Sequence, residues 1–239
     1  MTHIKQMPRL FFDIETVAMK QVEDFLPEPK VDKRLKDQET ARADKIADMV
    51  ERAPLDADLA TVKLISMQIG THGEPTIILV PSKKITKNTV AMLSTLATPG
   101  RLIVTTEVDA ITKFWDNLNM CNGLSVGYNI MGFDFPFLQR RSMELGIKPA
   151  ITPNLAKYRT EPTTDLMGTL FGWSWSENIK KLKWIAKRYS LEVLAPEQDG
   201  AMVADMTNEE LITYGMSDLW VTVQLYNKMN GVYFQHLGE

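Results

Sequence analysis

Arg9-Leu-Phe-Phe-Asp-Ile-Glu15 is a short apolar run closed by two acids. Such a run predicts a buried strand whose carboxyl end meets solvent. Asp13 and Glu15 are two residues apart, so in a strand both side chains leave the same face while Ile14 points into the core. Two carboxylates side by side repel, and the pair is sustained either by a raised pKa or by a bound cation. Hard divalent ions prefer carboxylate oxygens, which makes metal the simpler account. The spacing alone is weak, because Asp37-Gln38-Glu39 repeats it. That second copy lies in a charged stretch with no flanking apolar strand and reads as solvated surface.

Working outward, residues 20–58 shift to Lys, Asp, Glu and Arg, with Ala and Met at helical spacing in the segment 40–52. This predicts a charged helical insertion. Val62 to Gly70 and Thr76 to Val80, separated by a His72-Gly73 turn signal, read as two strands of a hairpin. Residues 82–100 contain a helical stretch around Asn88 to Leu96 and form a candidate second insertion. A short strand at Arg101 to Thr105, a helix from Glu107 to Leu118 and a buried strand at Leu124 to Gly127 follow. A further helix should open near Asp134 and stop at Gly146, ahead of Pro149. Ile179, Leu182, Ile185, Ala186 and Tyr189 form an apolar helical stripe, and Thr207-Asn-Glu-Glu210 fits a capping box that starts a last helix running to about Met229. Strands first, then strands alternating with helices, indicate one α/β domain over residues 1–239 with a mixed sheet.

The chain has 239 residues, 44% hydrophobic and 24% charged, enough for one good core. Its 27 basic and 30 acidic residues give a net charge of −3, so no global positive field draws it to nucleic acid, and any such contact must be local. A single cysteine, Cys121, excludes an internal disulfide and a multi-cysteine zinc site, and His3, His72 and His236 are far apart in sequence. Metal, if bound, should be oxygen-bound. The N-terminus has no apolar run suited to a signal peptide, and no stretch reaches the ~18 apolar residues of a membrane span. A soluble cytoplasmic protein that does not engage a membrane is expected.

Asn129-Ile-Met-Gly-Phe-Asp134 lies between a predicted strand and a predicted helix, which puts Asp134 near the carboxyl edge of the sheet, where open α/β sheets keep their sites. A plainer role for Asp134 is to cap its own helix. The neighbouring aromatics Tyr128, Phe133, Phe135 and Phe137 suit close packing or base contact equally. Tyr214 and Asp218 are four apart on the last predicted helix and share a face, so a phenol can sit beside whatever the carboxylate binds. The alternative is a core tyrosine and a surface acid.

Taken in order, Phe12-Asp-Ile-Glu-Thr16, Asn129-Ile-Met-Gly-Phe-Asp134 and Tyr214-Gly-Met-Ser-Asp218 resemble the three motifs of the DEDD (DnaQ-like) exonucleases of the ribonuclease H-like fold. Tyrosine four before the last aspartate is similar to the DEDDy branch. The other branch has histidine five before it, and Thr213 stands there. The layout of Thr164-Asp-Leu-Met-Gly168, the 182–189 helix and Asp199-Gly-Ala-Met-Val203 further resembles stand-alone proteins related to the proofreading domain of family-B DNA polymerases. Residues 20–58 and 82–100 match nothing in that layout. No polymerase module follows Glu239, so proofreading in cis is not expected.

The resemblance implies a ribonuclease H-like mixed sheet of five strands or slightly more, flanked by helices. It implies two divalent cations, Mg²⁺ or Mn²⁺, with Asp13 bridging both, Glu15 and Asp218 completing one site and Asp134 holding the other through water. Such cations can activate a water and stabilise the leaving 3′ oxygen, and Tyr214 would orient that water. The implied substrate is a single-stranded nucleic-acid 3′ end, DNA favoured, with replication or repair proteins as partners in trans. Candidate substrate contacts are Ile14, Thr16, Asn129, Phe133, Trp173, Lys180 and Lys181, with Trp175, Lys183, Lys187, Arg188, Arg140 and Arg141 as further stacking or phosphate-tracking candidates. For the lysines of that helix, a solvated face opposite the apolar stripe is the competing reading. Asp165 is expected to make a structural hydrogen bond. The alternatives are an exoribonuclease of the same mechanism and a catalytically silent nucleic-acid-binding module.

Overall fold

A computed structural model describes residues 7–32, 34, 36–173 and 179–234. Strand β1 (Leu10–Ala18) lies inside the sheet because both of its faces are apolar at its start. Leu10, Phe12 and Ile14 point to one side and Phe11 to the other, and all four are buried. Removing each such side chain from water contributes roughly 1.5–3 kcal/mol, so β1 is anchored from both sides. The strand does not end at the acids as expected. After Glu15 it continues through Thr16, Val17 and Ala18, paired with Val62, Thr61 and Ala60 of β2 (Ala60–Ile69). The backbone pairing therefore outlasts the apolar run, and Asp13 and Glu15 sit in mid-strand. The ladder skips Lys63, a bulge between Glu15 and Thr16.

Strand β2 runs antiparallel to β1 and, on its other side, to β3 (Thr76–Leu79), and β4 (Arg101–Val104) runs parallel beside β3. On the other side of β1, parallel β5 (Ser125–Gly127) and β6 (Thr163–Asp165) complete a six-stranded mixed sheet in the order β4-β3-β2-β1-β5-β6. One face is covered by α3 (Glu107–Met120) and α4 (Asp134–Glu144), whose Phe114, Trp115, Phe135 and Leu138 pack on Phe12 and Ile14. The opposite face is covered by α7 (Asn208–Tyr233), whose Leu219, Val223 and Tyr226 meet Phe11 while Leu211, Ile212 and Tyr214 meet Leu64, Ile77 and Leu79. The helix α6 (Leu182–Tyr189) lays Ile185 into the same α7-side core as Leu219 and Val223. Short α5 (Leu166–Leu170) follows β6, and α2 (Lys87–Leu96) precedes β4.

In the charged stretch, α1 (Gln38–Arg52) forms and buries none of its residues. Asp37 accepts a hydrogen bond from the Thr40 amide at its start, so the second Asp-x-Glu is a surface helix cap. The expected capping box of α7 is present. The Thr207 side chain accepts from the Glu210 amide, and the Glu210 carboxylate accepts from the Thr207 amide at 2.8 Å. Among the described residues, no helix is long and apolar enough to cross a membrane.

Candidate functional site

Asp13, Glu15 and Asp218 each offer a carboxylate oxygen, and these three atoms lie within 4.8 Å of one another. Strand periodicity puts the first two on the α7 side of β1, in line with Phe11. A glycine brings the third. Gly215 is where α7 lies on β2, and a Cβ there would fall 2.2 Å from Leu64 Cδ2 and 2.7 Å from Ser66 Oγ. Ser66 is the cross-strand partner of Asp13, so this close approach delivers Asp218, one turn further along α7, to the two β1 acids.

Asp134 arrives from the other neighbour of β1. Strand β5 pairs with β1 only at Leu10 and Phe11 before the chain departs at Gly127, leaving later β1 amides without a strand partner on that side. The Asp134 carboxylate fills that position, accepting a hydrogen bond from the Ile14 amide at 3.1 Å. It thus ties the start of α4 to the strand that carries the other acids, whereas the cap position of α4 is Phe133 and no side chain caps that helix.

The electrostatics of this arrangement are unfavourable without a cation. Burial, then the charges of Asp134 and Asp218, hold the Asp13 carboxyl well above the usual range. Glu15 is raised by burial and next by Asp13. Burial lifts Asp134 to about 7 and Asp218 to about 6. Asp218 Oδ1 is buried with no hydrogen-bond partner among the described residues. Such an orphaned oxygen, beside two other acids, is what a hard cation would satisfy, and Asp13, Glu15 and Asp218 can hold a metal ion.

Tyr214 lies one turn before Asp218, and its phenol partly offsets the rise of the Asp218 pKa. Burial and the charges of Glu15, Asp218 and Asp13 push the phenol itself far up, so it stays protonated. The chain at Gly200 passes close to the hydroxyl, where even a Cβ would make only an ordinary contact at 3.5 Å. Lys183 Nζ lies 5.4 Å from the Tyr214 ring centroid, and its charge lowers the Asp218 pKa. Sequence reasoning grouped Lys183 with the solvated lysines of α6. The signal that distinguishes it is its place at the margin of the apolar stripe, three residues before buried Ala186, whereas Lys187 is exposed.

The remaining candidates have mixed surroundings. Ile14 has its side chain in the core, and the Thr16 hydroxyl donates to the Pro54 carbonyl at 2.5 Å, so both are buried. Phe135 and Phe137 are core residues, Phe133 is partly buried 5.5 Å from Phe137, and the Tyr128 hydroxyl donates to the Lys180 carbonyl. Asn129 adopts a left-handed φ of 66° and keeps its Oδ1 buried without a partner among the described residues. Its amide, and that of Met131, donate to the Asp165 carboxylate at 3.1 and 2.9 Å. Asp165 also accepts from the Gly168 amide at 3.0 Å, so its structural role fixes the loop that leads into Asp134. Trp173 lies over Gly168 and beside a cavity lined by Asn129 and Met131. Trp175 lies outside the described residues. Lys180 Nζ sits 5.9 Å over the Trp184 ring, and exposed Lys181 pairs with Asp199. Arg140 and Arg141 are committed elsewhere: Arg140 pairs with Asp56 and Asp58, and Arg141, buried, pairs with Glu107 and Glu144.

No protein-family model and no curated protein matches the sequence. Among solved structures, the chain is similar to the family B DNA polymerase from the hyperthermophilic archaeon Pyrobaculum calidifontis, with a TM-score of 0.57 and 16% identity. The match covers 93% of this chain and 24% of the polymerase chain, so this protein spans about a quarter of the length of the polymerase that it matches. At that identity the likeness shows the fold, a helix-flanked mixed sheet consistent with the ribonuclease H-like expectation.

Proposed function

We propose that this protein is a two-metal-ion 3′→5′ exonuclease that removes nucleotides from a single-stranded end, DNA favoured. The observation that carries this reading is the convergence of Asp13, Glu15 and Asp218 within 4.8 Å, with Asp134 bonded to the intervening Ile14 amide. Mg²⁺ or Mn²⁺ bound there would activate water and stabilise the leaving oxygen of a phosphodiester. Asp13, Glu15 and Asp218 would hold the cations directly and Asp134 would complete the set. Tyr214, kept protonated by its surroundings, would donate a hydrogen bond that orients the attacking water instead of taking its proton. Asn129, Phe133 and Trp173 border the approach from β5 and β6 and are the candidates for base contact. Lys183, whose ammonium donates to the Ala195 and Pro196 carbonyls, would be the inner cation toward phosphate, and Lys180 and exposed Lys181 would be outer cationic contacts. The fold shared with a polymerase segment supports this reading, and replication or repair proteins would be partners in trans.

The test is digestion of 5′-labelled single-stranded DNA and RNA of one sequence in Mg²⁺, Mn²⁺ or EDTA, by wild type and Asp13→Ala. A ladder shortened from the 3′ end, lost in EDTA and in the variant, is expected, with DNA the faster substrate. Faster cleavage of RNA would reassign the substrate, and two intact strands in both metals would leave a binding module.

A further inference from the structure

A second groove opens at the carboxyl end of β1. Val17, two residues beyond Glu15 and on the same face of the strand, forms one end of it, and Pro54 and Met206 form its walls. It encloses about 970 Å³, at the upper end of the roughly 300–1,000 Å³ that ligand clefts occupy. Its lining comes from residues 50–54, 81–85 and 201–209 as well as β1 and β2, and all of the first segment and residues 82–85 of the second belong to the stretches 20–58 and 82–100 that match nothing in the family layout.

Lys63 lines this groove, and it is the residue that the bulge beside Glu15 leaves unmatched. Its backbone is fixed, because its carbonyl accepts from the Val80 amide at 3.0 Å. Its ammonium group donates to the Ser82 hydroxyl and, among the described residues, pairs with no carboxylate. Burial lowers the Lys63 pKa, with no neighbouring charge opposing it. Lys83 lines the groove next to Ser82 and is likewise in no ion pair; Glu51 and Glu209 also line it and pair with neither lysine. A half-buried cation without a counter-charge is costly, and an arriving anion would relieve that cost.

We infer that this groove holds the phosphodiester backbone of a single nucleic-acid strand next to the carboxylate cluster, with Lys63 as the principal phosphate contact and Lys83 as the second. The orientation of the strand toward the acids rests on the exonuclease reading; the binding does not. Anisotropy of a fluorescent single-stranded oligonucleotide, titrated with the full chain in EDTA over a range of salt, measures it without hydrolysis. Lys63→Gln should weaken binding roughly tenfold and flatten the slope of log K against log salt by about 0.7. Lys83→Gln should flatten it in the same direction, and Lys113→Gln, on the exposed face of α3, should bind like wild type. If Lys63→Gln fails to fold by circular dichroism, the slope of Lys83→Gln decides. Wild-type affinity and slope in the folded lysine variants would overturn the groove, even if wild type digests DNA. Weakened binding in those variants, with no digestion by wild type, would uphold the groove and remove the exonuclease reading.

Discussion

The Tyr214 hydroxyl and the Asp218 carboxylate have opposite needs. The acid needs a positive partner for its orphaned Oδ1, and the phenol, surrounded by acids, cannot give up its proton. On the exonuclease reading Tyr214 would therefore act through position, and Tyr214→Phe keeps the ring beside Lys183 while deleting the hydroxyl. Its kcat should fall by about 10²-fold, the scale of a mispositioned reactant, with the alkaline limb of the pH–rate profile unmoved. A shift of that limb would show the phenol working as a base. Asp165 illustrates the opposite case, a buried acid whose three backbone amide partners already satisfy it without a cation. The two buried acids thus differ in what they can still bind, because one is saturated with donors and the other is not.

At the scale of elements, the site is an intersection of β1, α7 and the start of α4. The approach of α7 depends on Gly215, and two effects compete when a methyl group is added there. Alanine favours the helix by ~1 kcal/mol, but the new Cβ would fall against fully buried Leu64 and Ser66, and overpacking costs about 1–3 kcal/mol. The steric effect should win. Gly215→Ala should lower the denaturation midpoint and, by displacing Asp218 from β1, weaken Mn²⁺ binding measured by calorimetry. A variant at least as stable as wild type with undiminished Mn²⁺ affinity would show that α7 has room to move. The β1–β5 edge works differently, since early loss of pairing frees the Ile14 amide for Asp134 and makes a gap in the ladder part of the site.

For the whole molecule, the clustered acids couple stability to pH. Asp134, at about 7, and Asp218, at about 6, both stand above the ordinary value of 3.8. The folded, metal-free protein therefore retains protons that the unfolded chain has released, and its stability falls as pH rises from about 4 to about 7. Bound cations favour the ionised acids and release protons, so stabilisation by Mn²⁺ should be small near pH 4 and grow through that window. Thermal melts in EDTA and in Mn²⁺ across it check both trends, and Asp218→Asn should flatten the metal-free one. A melting temperature in EDTA that climbs over the same range would contradict the electrostatic picture.

Much of this organisation is legible without coordinates, because periodicity and punctuation are local. The apolar run from Leu10 to Ile14 identifies a buried strand, the Thr207 to Glu210 box starts the last helix, and the four-residue spacing of Tyr214 and Asp218 puts them on one face. What local pattern cannot reveal is which faces meet. The reach of β1 past Glu15 follows from pairing with β2, the choice of Lys183 over the other α6 lysines follows from its facing Tyr214, and the commitment of Arg141 to Glu107 follows from the contact of α3 with α4. The same holds for Lys63, an unremarkable strand lysine in sequence, which becomes a half-buried unpaired cation only because β1 and β2 slip by one residue beside Glu15. Residue types and spacings decide which groups can do chemistry, since charge and side-chain period belong to the chain itself; burial and the absence of a partner arise only when distant segments close around a group.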